Sequence, residues 1–188
     1  MEDLLLFMAV GFAAQIVDGA LGMAYGISAT TALLSIGVTP AVASATVHAA
    51  EVFTTGASGF AHWRLGNVKK QLFWKLVLPG AVGGGRGAYV RASVPSENIK
   101  PFVDAYLIVL GGLILMKALR QRPSLPSELK HTRALGFVGA ALDAMGGGGW
   151  GAMVTGSLIG RGLDSRFVIG TSNAAECASS DHLRQMRA

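Results

Sequence analysis

Asp18-Gly-Ala-Leu-Gly-Met-Ala-Tyr-Gly26 interrupts a long apolar run, and 125 positions on (143 − 18) the chain returns to Asp143-Ala-Met-Gly-Gly-Gly-Gly-Trp-Gly151. The agreement extends outward from these two stretches without a gap. Gly11-Phe12 meets Gly136-Phe137, Gly22 and Gly26 meet Gly147 and Gly151, and Thr30 meets Thr155. Leu33 meets Leu158, Gly37 meets Gly162, Thr46 meets Thr171, and Ala49-Ala50-Glu51 meets Ala174-Ala175-Glu176. Two alanine-rich helices can agree by composition, but composition does not align Asp, Glu and spaced glycines together. The chain therefore carries an internal repeat, which is a hallmark of secondary transporters, whose sites lie where Gly-interrupted segments of the copies correspond.

The segments around the repeat are apolar and long. They run from about Leu4 to Ile36, Pro40 to Ala61, Leu72 to Val90, Phe102 to Leu119 and Ala134 to Gly160, and a sixth starts near Phe167. About 20 mainly apolar residues cross a bilayer as a helix. The first segment, about 33 residues, would reach about 50 Å as one helix against a core of about 30 Å, so it is expected to break or re-enter at its Gly-rich middle. Ala105 to Met116 is apolar all round, unlike the alternating strands of a membrane barrel. The expected fold is an all-α polytopic transmembrane helical bundle of two homologous repeats with broken Gly-rich helices. Residues 1–119 form the first repeat with about four spans, 120–133 a polar loop, and 134–188 the start of a second, truncated repeat.

Composition supports a lipid setting. Hydrophobic residues make up 51% and charged residues 14% of 188, with 26 glycines; soluble domains carry about 25% charged residues. The net charge of +5 does not imply nucleic acid, because no basic stripe with interleaved aromatics occurs. The bases gather instead between apolar runs, at Arg64, Lys69, Lys70 and Lys75 and from Lys117 to Arg133, as in cytoplasmic loops. Counting the first segment as one crossing puts the N-terminus on the cytoplasmic side. The single cysteine, Cys177, allows no intrachain disulfide and no metal-type cysteine spacing. Met1-Glu-Asp-Leu-Leu-Leu6 lacks the basic start of a cleaved signal peptide, so the first run is expected to be retained.

The two glycine stretches, together with Ile169-Gly-Thr-Ser-Asn-Ala-Ala-Glu176, resemble the sulfite exporter TauE/SafE family of membrane transporters, over about Leu4 to Glu176. The resemblance implies a multi-pass cell inner membrane protein. It also implies carriage of sulfite or of small organosulfur and carboxylate anions, coupled to an ion gradient. A complete repeat would give about twice 125 residues. After Glu51 the first copy stays membrane-compatible, whereas Cys177 to Ala188 reads as too polar to continue a span, so the sixth helix is expected to be cut short. Arg86, inside Gly80 to Tyr89, stands where the family usually has a small or apolar residue; it is either an anion ligand or a snorkelling variant.

Candidate substrate-binding residues are Asp18, Gly22, Gly26, Thr30, His48 and Glu51, with Asp143, Gly147, Gly151, Thr155, Asn173 and Glu176 in the second copy. As a site, a glycine break frees backbone N–H groups and the next half-helix offers its positive end to an anion. As packing, the same glycines form GxxxG pairs. Asp18 and Asp143 either relay protons or hold Na⁺, or cap the half-helix after the break. Glu51 and Glu176 either couple ions or bond between helices. His48 lies three residues before Glu51, on the same helical face. Its counterpart Asn173 keeps hydrogen bonding but not metal ligation, so no metal is expected. His62 and Trp63 close the second span as interface anchors. Gly146, Gly148 and Gly151 fit a dinucleotide pattern without the βαβ unit it requires; no cofactor and no enzyme site are expected. The partners expected are the lipid bilayer, a small anion such as sulfite, and a proton or sodium as coupling ion, with homo-oligomerisation left open.

Overall fold

A computed structural model describes residues 2–21, 24–119 and 131–185 of the chain. Gly22 and most of the polar loop lie outside the described residues. The described chain is helical: α1 Glu2–Leu21, α2 Tyr25–Ser35, α3 Pro40–Arg64, α4 Lys70–Ser93, α5 Ser96–Leu119 and α6 Thr132–Gly146. A π turn, Gly151–Thr155, leads into α7, Gly156–Gly160, and then α8, Ser165–Gln185. The first apolar segment is thus broken, as its length requires. Helix α8 runs on past Glu176, although its sequence there is polar.

The repeat is visible element by element. α1 matches α6, α2 matches the π turn with α7, and α3 matches α8. Each short half-helix ends in the same reversal. Gly37 and Gly162 take φ of +88° and +82°, the left-handed region where glycine has no Cβ penalty. Val38 N–H bonds Leu33 C=O and Leu163 N–H bonds Leu158 C=O, with Gly37 bonding Leu34 and Gly162 bonding Ile159. This is the double bond of a Schellman ending, built twice.

Each copy has its own core. In the first, Ala14, Ala29, Leu33, Ala43 and Val47 pack between α1, α2 and α3. In the second, Trp150, Val154, Leu158 and Val168 pack against Leu72 and Leu76 of α4. Helix α4 lies along α6 with almost no separation. A Cβ added at Gly83 or Gly87 would collide with the backbone carbonyls of Phe137 or Ala141. Such small-residue seams let helices approach closely where lipid supplies no hydrophobic drive.

The outside is the reverse of a soluble protein's. Leu5, Met8, Phe12 and Ile16 form one outward face of α1, with Phe12 71% exposed. Phe53, Phe60 and Trp63 of α3, Leu78 and Val82 of α4, and Phe102, Ile108 and Leu115 of α5 are exposed too. Contiguous apolar surface on this scale marks contact with another apolar phase. Among the described residues, no helix is long and apolar enough to cross a membrane by hydropathy. The Ala, Gly, Ser and Thr content of helices such as α3 accounts for part of this, since small residues pack helices without adding hydropathy.

Candidate functional site

Breaking a helix leaves the first amides of the following one without partners. Both copies solve this in the same way. Asp18 Oδ1 accepts the N–H of Ala24 at 2.7 Å and of Tyr25 at 3.1 Å. Asp143 Oδ1 accepts the N–H of Gly149 at 2.7 Å and of Trp150 at 3.2 Å. The two carboxylates therefore sit at the N-terminal ends of α2 and of the π turn, where negative charge is favoured. These four amides already hold a carboxylate, so a substrate anion would have to displace it to reach them.

The breaks face each other. A Cβ on Gly26 would come within 2.6 Å of Gly148 Cα and 2.6 Å of Glu51 Oε1. Gly147 ends α6 with φ +73°, and its carbonyl accepts a short hydrogen bond from Thr30 Oγ1 across the copies. Thr155 is not placed like its counterpart: it donates to Ser172 Oγ at 2.7 Å. Both threonines are fully buried and hydrogen-bonded.

A cavity of about 290 Å³ opens beside this junction. Of the residues singled out in the sequence, Asp18, Gly26, Glu51, Gly151, Asn173 and Glu176 line it. Thr30, His48, Asp143, Gly147 and Thr155 do not, and Gly22 lies outside the described residues. Asn173 Nδ2 donates to Ser58 Oγ at 2.7 Å, joining α8 to α3. Glu51 and Glu176 are 9% and 7% exposed, and neither carboxyl group has a hydrogen bond among the described residues. Among the described residues the lining holds three carboxyl groups and neither lysine nor arginine.

His48 stands behind Glu51. Its Nδ1 is 3.8 Å from Glu51 Oε2 and its Nε2 is 3.6 Å from Asp143 Oδ2. The three side chains offer ligand atoms within 4.8 Å of one another, a spacing that a metal ion could draw together. Spacing in the sequence could not reveal this, because Asp143 comes from the other copy. Arg86 is far from such a role: it is exposed, with its guanidinium 5.5 Å from the centre of the Phe137 ring.

The structure adds Gln15, Tyr25, Thr54, Thr55 and Ser58 to the lining. Three of these were within reach of helical periodicity, since Thr54, Thr55 and Ser58 follow Glu51 by three, four and seven positions on one face of α3. Tyr106 carries no such signal. It comes from α5, outside the repeated motif, and its buried hydroxyl, without a hydrogen-bond partner among the described residues, lies beside Gly149.

Three comparisons bear on this arrangement. The family described as Sulfite exporter TauE/SafE matches residues 7–180. The "Probable membrane transporter protein YtnM" of Bacillus subtilis (strain 168) is 44% identical over 185 residues, covering 95% of this chain. The chain spans 62% of that relative's length. No solved structure matches the chain.

Proposed function

This chain belongs to the sulfite exporter TauE/SafE family of membrane proteins, and from that premise we propose that it moves a small anion across the cell inner membrane as a multi-pass transporter. Sulfite is the first candidate, followed by organosulfur and carboxylate anions. The observation that carries the reading is the junction itself: two Asp-capped breaks, one from each copy, meet beside an open cavity lined by the buried Glu51 and Glu176.

The charge of that cavity shapes the mechanism. A carboxylate 4 Å from an anion costs about 4 kcal/mol at an effective dielectric of 20. An anion therefore enters only when protons or a cation neutralise the lining. Gln15, Tyr25 and Ser58 bring donor groups for the anion, while Glu51 and Glu176 take the coupling ion, a proton or sodium. Alternating access follows if the copies shift against each other at the junction, opening the cavity first to one side and then to the other.

Reconstitution in liposomes tests this. With labelled sulfite, the chain and the longer Bacillus relative are each expected to equilibrate the label across the bilayer. A relative that moves sulfite beside a chain that does not supports the second reading, a membrane assembly partner that does not transport alone. Failure of both to move sulfite, an alkylsulfonate or a small carboxylate rejects anion transport.

A further inference from the structure

We propose that His48, Glu51 and Asp143 form a site for a divalent transition-metal cation of the Zn²⁺ class, held between the two copies. Helix α3 presents His48 and Glu51 three residues apart on one face, and Asp143 reaches them from the last turn of α6 in the other copy. His48 Nδ1 is 3.8 Å from Glu51 Oε2 and His48 Nε2 is 3.6 Å from Asp143 Oδ2. One ligand atom from each residue falls within 4.8 Å of the others. Nitrogen and oxygen ligands lie about 2.0–2.2 Å from zinc, so around a tetrahedral ion they stand about 3.4 Å apart. Closing the cluster onto an ion therefore takes shifts of about 1 Å.

The surroundings call for a cation. Glu51 is 9% exposed, and its carboxyl group has no hydrogen bond among the described residues. The buried Nδ1 of His48 likewise has no hydrogen-bond partner among them. Asp143 Oδ1 is held by the amides of Gly149 and Trp150, while Oδ2 faces His48. Among the described residues neither carboxylate pairs with a lysine or arginine. Two carboxylates and a neutral imidazole carry two negative charges, which one divalent cation balances. The imidazole nitrogen selects among cations, since it suits zinc and its first-row neighbours, whereas calcium and magnesium take oxygen ligands. A water completes the tetrahedron. The repeat argues against a metal only if each copy holds its own site. Asn173 stands where His48 does and is bonded to Ser58, so the second copy builds no equivalent. The ligand set exists because Asp143 crosses from the other copy. Occupancy has a consequence that, unlike the site itself, rests on the transport reading above. The metal would take Glu51 from the coupling ion and join α3 of one copy to the break of the other, so that the shift between copies stops.

Metal titration of the purified full chain, free of any histidine tag, tests the site without requiring transport. Co²⁺ should bind once per chain with the intense visible absorption of a four-coordinate centre, and Zn²⁺ should displace it. His48→Asn, which copies the second repeat, should weaken binding by more than the roughly 10–100-fold that loss of a second-shell partner costs. His62→Asn, further along α3, should leave the affinity unchanged. X-ray absorption at the zinc edge of the wild type should show one imidazole among oxygen ligands, a readout that stands even where H48N fails to fold. No binding by the wild type, equal binding by H48N, or sulfur or a second imidazole at the metal each overturns the inference and leaves the transport reading intact. In liposomes, Zn²⁺ should abolish sulfite uptake by the wild type. Uptake undiminished by bound Zn²⁺ overturns the locking. An absence of uptake without metal removes the transport reading, while the binding result still decides the site.

Discussion

Asp143 uses its two carboxylate oxygens for different purposes, and substitutions can separate them. Asp143→Ala removes the acceptor for Gly149 and Trp150 and should cost about 1 kcal/mol, the usual loss for an N-cap. Asp143→Asn keeps an acceptor oxygen for those amides but no charge facing His48. Thermal unfolding in detergent should distinguish the two, while liposome uptake should fall in both. Glu51 offers the opposite test. It is a buried carboxyl group without a hydrogen bond among the described residues, and such groups weaken folds that keep them for function. Glu51→Gln should therefore leave the melting temperature unchanged or raised while abolishing sulfite uptake; a lowered melting temperature would point to a structural role instead. At Gly147 the backbone decides. Its φ of +73° makes Gly147→Ala cost about 1–2 kcal/mol, measurable as a lower melting temperature. The paired Asp and Gly positions were legible in the sequence because a cap and a left-handed helix end each admit few residue types. The approach of His48 to Asp143 and the bond of Thr30 to Gly147 were not, since each reaches a residue of the other copy.

At the scale of elements, the seam between α4 and α6 is held by the absence of side chains. Gly83→Leu would drive a branched side chain into the carbonyl of Phe137. A loss of about 3 kcal/mol is expected from overpacking, read as poor yield and early unfolding in detergent. Arg86 is three residues further along the same helix but points outward over Phe137. Arg86→Leu should leave sulfite uptake at the wild-type level; a loss of uptake would return this residue to the anion path. The helices themselves were readable from their apolar lengths, and the break in the first segment from length alone. Sequence could not show that Asp caps already hold the freed amides, because capping and anion binding draw on the same donors. Nor could it show α5 supplying Tyr106, which stands outside the repeated pattern.

For the whole molecule, the doubled sequence produces two similar cores that meet at their breaks, yet the copies do not end up alike. Their equality in sequence was legible from the gapless offset; their inequality in shape was not, since it arises from different neighbours. Ser172 takes up Thr155, while Val47 at the corresponding position offers Thr30 no hydroxyl. The clearest mark of the inequality is the π turn at Gly151–Thr155, absent from the ordinary helix of α2. A π turn winds one residue more into its coil, so the second rod reaches its closing glycine about 1.5 Å short of what a regular helix of the same sequence length would span. That shortfall is a store of slack. Were the copies to trade shapes as the molecule reverses, Gly26–Thr30 would tighten as Gly151–Thr155 relaxed, and the working stroke would be the rise of a single amino acid.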